Sequence, residues 1–166
     1  MSDLGKFYRV AAVRFERTLP GSIGWVWQHL TEPKRLENWF GPNSLIEPRE
    51  GGRVSLMGGH VRGIVTQWSP HRRLAYSWNV FEQGENASRY PESYLTLDLA
   101  ESGDTVSLSL THLPVLERFE KQNAMGWHTF LDMLSVTISG AVVEPRNHYM
   151  QRNAKKYGVD LNNLVQ

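Results

Sequence analysis

A chain of 166 residues with a formal net charge of +1 has the length of one domain and no electrostatic bias toward nucleic acid. Hydrophobic residues make up 40% and charged residues 21%, a balance that predicts a folded globule and excludes a disordered or polyelectrolyte chain. Cysteine is absent, which excludes disulfides, thiolate metal sites and thiol nucleophiles together.

The opening MSDLGKFYRV lacks a charged-then-apolar leader pattern, and no apolar run approaches 18 residues. The expectation is a soluble, cytoplasmic protein with no membrane insertion. Phe7 to Leu19 is rich in Val, Phe and Tyr and predicts a first strand, ended by Pro20-Gly21. Ser22 can cap a short helix carrying Ile23, Val26, Trp27 and Leu30 on one side. Pro33 starts a second short helix, PKRLENWF, stopped by Gly41-Pro42. A meander follows. A short strand over Ser44–Glu47 turns at Gly51-Gly52 into Arg53–Met57, and Gly58-Gly59 leads into His60–Trp68. Arg73–Phe81 places Leu74, Tyr76, Trp78 and Val80 on one parity. The polar loop 82–92 separates it from Tyr94–Glu101, with Leu95, Leu97 and Leu99 in phase. After a hairpin turn at Ser102-Gly103-Asp104, Val106, Leu108, Leu110 and His112 share a face. Clean alternation predicts an antiparallel sheet with one buried face.

One long helical pattern runs from Val115 to Val143, with Pro114 read as its first-turn proline. Trp127, Leu131, Leu134 and Ile138 recur at steps of three and four, and Met125, Phe130, Met133 and Thr137 widen that face. Gly126 lies inside it, and the offsetting reason is expected to be close approach of a strand or of a ligand. Glu144-Pro145 ends the pattern. The domain is therefore placed at 1–145, with a short polar helix and tail at 146–166. The predicted fold class is α+β: about six or seven antiparallel strands gripping one long helix, with two short helices after the first strand.

In order and spacing, TEPKRLENWFGP (31–42), Gly51-Gly52, GIVTQWSPHRRLAYSW (63–78), TVSLSLTH (105–112) and GWHTFLDML (126–134) resemble the START-like superfamily. The branch they are most similar to is that of homologues of the activator of the heat-shock chaperone ATPase. The resemblance implies a helix-grip fold with a cavity between sheet and C-terminal helix. Across the superfamily it implies binding of lipids, polyketides or other apolar molecules, with cyclisation or ring hydroxylation in some members. The eukaryotic activators carry an additional N-terminal domain that makes major chaperone contacts. The first strand here begins by about residue 8, so a chaperone partner is not expected. The Cys/His cluster and iron site of the ring-hydroxylating relatives have no counterpart.

Candidate wall residues of the cavity are Trp39, Met57, Tyr76, Trp78, Leu97, Leu110, His112, Trp127, Phe130 and Leu131. Trp39 and Trp127 suit either a pocket wall or plain core packing. His112 can bond a ligand carbonyl or serve as acid or base, or it can be a satisfied structural histidine. Arg62 is expected to face solvent. No two histidines have H-x-x-x-H spacing, so neither a metal nor a cofactor is expected. Three classes remain open: a binder of a small apolar or aromatic ligand, an enzyme of the polyketide-cyclase type using His112 or Tyr76, and a chaperone-activator-like interaction module. A homodimer is left open, as is whether the cavity is empty or filled by the protein's own aromatic rings.

Overall fold

The structure is a computed structural model and describes residues 3–166. Seven strands form one sheet: β1 (Ala11–Pro20), β2 (Leu45–Ile46), β3 (Arg53–Leu56), β4 (Val61–Ser69), β5 (Arg73–Val80), β6 (Ser93–Ser102) and β7 (Thr105–Val115). Their spatial order is β1-β7-β6-β5-β4-β3-β2, and every pairing is antiparallel. Helices α1 (Ile23–Thr31) and α2 (Pro33–Leu36) fill the β1–β2 connection. Helices α3 (Glu120–Ile138) and α4 (Arg146–Tyr157) follow the sheet. Among the described residues no helix is long and apolar enough to cross a membrane.

The inward parity of the strands holds. Leu74, Tyr76, Leu95, Leu97, Leu108 and Leu110 are buried, and they meet Trp127, Leu131, Leu134 and Ile138 of α3 in one core. Leu97 stands opposite both Leu74 and Leu110 across its two ladders. The α1 N-cap is Ser22, whose hydroxyl accepts from the Trp25 amide at 3.2 Å. Gly63 is dictated by contact: a Cβ there would come within 1.8 Å of the Ser77 carbonyl oxygen on β5. The Ser77 hydroxyl takes the Ile64 amide at 2.9 Å beside that point.

Four boundaries depart from the sequence pattern. The long helix begins at Glu120, not Val115, because β7 continues to Val115 with pairs Tyr94↔Leu113 and Ala11↔Val115. Pro114 thus lies in that strand, after a cis Leu113–Pro114 bond, and a short 3-10 turn (Glu117–Phe119) makes the transition. The helix stops at Ile138, since Gly140 adopts φ +78. At the other end, β1 starts at Ala11 rather than Phe7: Ala11 faces the last residue of β7, so earlier residues have no ladder to join. Phe7, Tyr8 and Val10 are consequently exposed. Helix α2 gives way after Leu36 to turns in which Trp39 and Phe40 amides share the Leu36 carbonyl.

Helix α4 packs along α3. Tyr149 and Asn153 are buried, and the Asn153 side-chain amide donates to Thr129 Oγ1 at 3.2 Å and Asp132 Oδ2 at 3.0 Å. His128 leaves the core face and meets the Tyr157 hydroxyl at 2.8 Å. Beyond Gly158, the last residues return to α3. The Gln122 side chain accepts from the Val165 amide and donates to the Val165 carbonyl at 3.2 Å.

Candidate functional site

The layer between sheet and α3 is filled in its middle and hollow at one end. The filling is aromatic. Trp127 lies 5.1 Å from Trp78, 6.0 Å from Phe40 and 5.7 Å from Phe130, measured between ring centroids. Phe40 in turn packs on Trp39 at 3.9 Å and on Phe130 at 5.0 Å. Such offset and edge-on pairs add attraction beyond the area they bury.

At the end of this cluster nearer the start of α3 is a cavity of about 430 Å³. Trp78, Val80, Tyr90, Pro91, Pro114, Leu116 and Phe119 supply its apolar wall, and His60, Glu82, Ser93, His112, Gln122 and Asn123 its polar points. Leu164, Val165 and Gln166 lie along its rim, so the Gln122 clamp ties the tail across the opening.

His112 is the centre of the polar set. The Trp127 indole N–H, which can only donate, reaches His112 Nδ1 at 2.9 Å. Nδ1 is therefore the acceptor nitrogen, and the proton of the neutral ring sits on Nε2, which donates to Ser93 Oγ at 2.7 Å. The Ser93 hydroxyl in turn donates to the Trp78 carbonyl at 3.3 Å. Burial lowers the His112 pKa to about 4, so the ring is neutral near pH 7. Asn123 approaches the same Nδ1 through Nδ2 at 3.4 Å, while its Oδ1 is buried with no partner.

Two of the ten wall candidates, Trp78 and His112, line this cavity. Trp127 holds both from behind. Leu97, Leu110 and Leu131 are core, with no face on it. Tyr76 is fully buried beside Trp78, its hydroxyl without a partner, and burial raises its pKa far above neutrality. At neutral pH both Tyr76 and His112 are therefore held in their uncharged forms. Trp39, Met57 and Phe130 gather at the opposite end, around Arg146 of α4. Arg62 is exposed, with its guanidinium over Phe81 at 4.3 Å. Tyr90, Phe119, Asn123, Gln122 and the tail went unseen in the sequence. Asn123 had a usable signal, since it stands one turn before Trp127 on the same helix. Gly126 meets neither a strand nor a pocket: open space surrounds the position of a Cβ.

An antiparallel sheet wrapped on one long C-terminal helix defines a helix-grip protein of the START-like class. The family model for "Activator of Hsp90 ATPase homolog 1-like protein" matches residues 21–139, and the chain belongs to that family. A Dictyostelium discoideum activator of 90 kDa heat shock protein ATPase homolog is 31% identical over 98 residues, which are 57% of this chain but only 24% of that relative. Among solved structures, CalU16 of Micromonospora echinospora superposes with a TM-score of 0.66 at 28% identity, covering 89% of this chain and 86% of its own. An HSP90 activator from Plasmodium falciparum gives 0.63 at 18% identity over 77% and 96%, a likeness of fold alone.

Proposed function

We propose that this protein binds a small apolar or aromatic molecule at the His112 end of the layer between sheet and α3. The observation that carries the reading is the cavity itself, whose wall sets Trp78, Tyr90 and Phe119 beside the polar groups of His112, Ser93 and Asn123. Asn123 Oδ1 lies just beneath that wall without a partner, at a cost of about 1–3 kcal/mol, and a turn of the side chain would bring it to a ligand N–H or O–H. The volume of about 430 Å³ lies in the usual range for small-molecule sites. Burying roughly 200 Å² of apolar ligand surface gains about 5 kcal/mol gross at ~25 cal/mol per Å². Association costs about 4 kcal/mol or more, so affinity is modest and specificity falls to the polar points.

Native mass spectrometry of the protein from its source organism, followed by denaturing extraction, tests this. A co-purifying species of defined mass supports the reading. A clean apo mass, together with no uptake of the neutral fluorophore N-phenyl-1-naphthylamine, removes it. Chaperone ATPase activation is the second reading, favoured by the name of the Dictyostelium relative. Absence of stimulation of the host's own 90 kDa chaperone would discard it.

A further inference from the structure

Arg146 is a cation folded inward without a counter-charge. At the first turn of α4 its neighbours Asn147 and His148 are exposed, and an arginine there could extend into water. Instead the guanidinium lies over the Phe130 ring, 4.8 Å from its centroid. Its Nε is buried and has no acceptor. Nη1 faces the Met57 sulfur at 4.0 Å, a weak acceptor, and Nη2 reaches the Trp39 carbonyl only at 3.5 Å. No acid among the described residues offsets it, and burial alone lowers its pKa. The group is half withdrawn from water, with a ring face and two weak acceptors in place of a counter-charge, which leaves it short of partners.

The surroundings hold the group in place, behind a turn with strained backbone. Gly41, at φ +102, leaves room that a Cβ would take away: it would sit 3.3 Å from Nη2. Met57 stands on a turn whose backbone is left-handed at three successive residues, with φ 52, 66 and 89 at Met57, Gly58 and Gly59. Left-handed backbone at a non-glycine residue stores strain. The turn is fastened by the Gly58 amide on the Pro42 carbonyl at 2.9 Å and the Met57 amide on Ser44 Oγ at 3.3 Å. The Met57 side chain lies against the Nη1 edge of the guanidinium.

We propose that Arg146 is an anion-recognition residue, receiving the carboxylate of an aromatic or otherwise apolar acid whose body lies against Phe130 and Trp39. A single guanidinium in apolar company suits a monoanion, and its planar fork matches two carboxylate oxygens. The assignment rests on the ligand-binding reading above, and it adds a head-group position at the end of the aromatic cluster away from His112.

Methyl-labelled methionine and indole ¹⁵N NMR at pH 7 test it, with 2-naphthoate and its neutral analogue 2-naphthol as probes. The Met57 methyl reports the Arg146 end and the Trp127 indole the His112 end. The expected result is that 2-naphthoate moves the Met57 signal with a Kd about tenfold below that of 2-naphthol. Arg146→Leu, which keeps the apolar stem, removes the preference. Arg146→Lys, with charge but no fork, retains part of it, and Arg118→Leu, which removes a cation stacked on Phe119 at the His112 end, leaves it intact. Equal binding of the two probes, survival of the preference in Arg146→Leu, or its loss in Arg118→Leu overturns the anion assignment while leaving ligand binding in place. If neither probe shifts either reporter, the ligand-binding reading falls and this one with it.

Discussion

His112 couples folding to pH through one buried ring. Its folded pKa is held down to about 4 by burial, whereas an unfolded histidine titrates near 6.5. The unfolded chain therefore takes up a proton first as pH falls. The associated stability is complete above about pH 6.5, drains away between about 6.5 and 4, and changes little below. The window corresponds to about 3 kcal/mol at most. Urea unfolding at pH 7 and pH 4.5 should show a smaller pH dependence in His112→Gln than in the parent, since glutamine has no proton to gain. Two glycines give opposite expectations. Gly126→Ala should raise stability by up to about 1 kcal/mol, because helix propensity improves and the site is open. Gly63→Ala should lower it by about 3 kcal/mol or more, because the methyl would meet the Ser77 carbonyl. Both are read from denaturation midpoints. Residue identity alone suggested a packing reason at Gly126 and a turn at Gly51-Gly52, yet the tightest contact is at Gly63. Cross-strand distance leaves no trace in one strand's sequence.

At the scale of elements, periodicity was a good guide to existence and a poor one to ends. All seven strands and the gripping helix were legible, because alternation and three-four spacing record which side is buried. The start of α3 was not, since Pro114 and Val115 suit a strand end as well as a helix start, and pairing with β1 and β6 decides between them. The tail was illegible for another reason. Leu164 and Val165 show no period, and their placement depends on one distant side chain, Gln122. Gln122→Ala should free the tail from α3. Amide exchange at Val165 should then accelerate, and N-phenyl-1-naphthylamine should enter the His112 cavity faster. Unchanged exchange would show that other contacts hold the segment.

For the molecule as a whole, the aromatic cluster makes packing and site architecture inseparable. Six tryptophans are spread through the sequence, and Trp39, Trp78 and Trp127 converge between sheet and α3. Composition left open whether such rings fill the space between sheet and helix, and gave no sign that they divide it into a His112 end and an Arg146 end. Trp127→Ala should cost about 3–5 kcal/mol in urea unfolding, as expected for loss of a buried large aromatic ring. Trp127→Phe should cost about 1–3 kcal/mol, through the donor lost at His112 Nδ1.

The pairing of β1 with β7 also sets a schedule for synthesis. Arg14 of β1 bonds Thr111 of β7 across 97 residues of sequence. At a synthesis rate of about 5–20 residues per second, β1 waits on the order of 5–20 seconds for β7, its neighbour in the sheet, to emerge. The exposed Phe7, Tyr8 and Val10 lie just upstream of it. Throughout that interval an unpaired strand and an apolar arm are free to meet other chains. Yield in the cell should therefore depend on how well the N-terminal segment is shielded until residue 115 has left the ribosome.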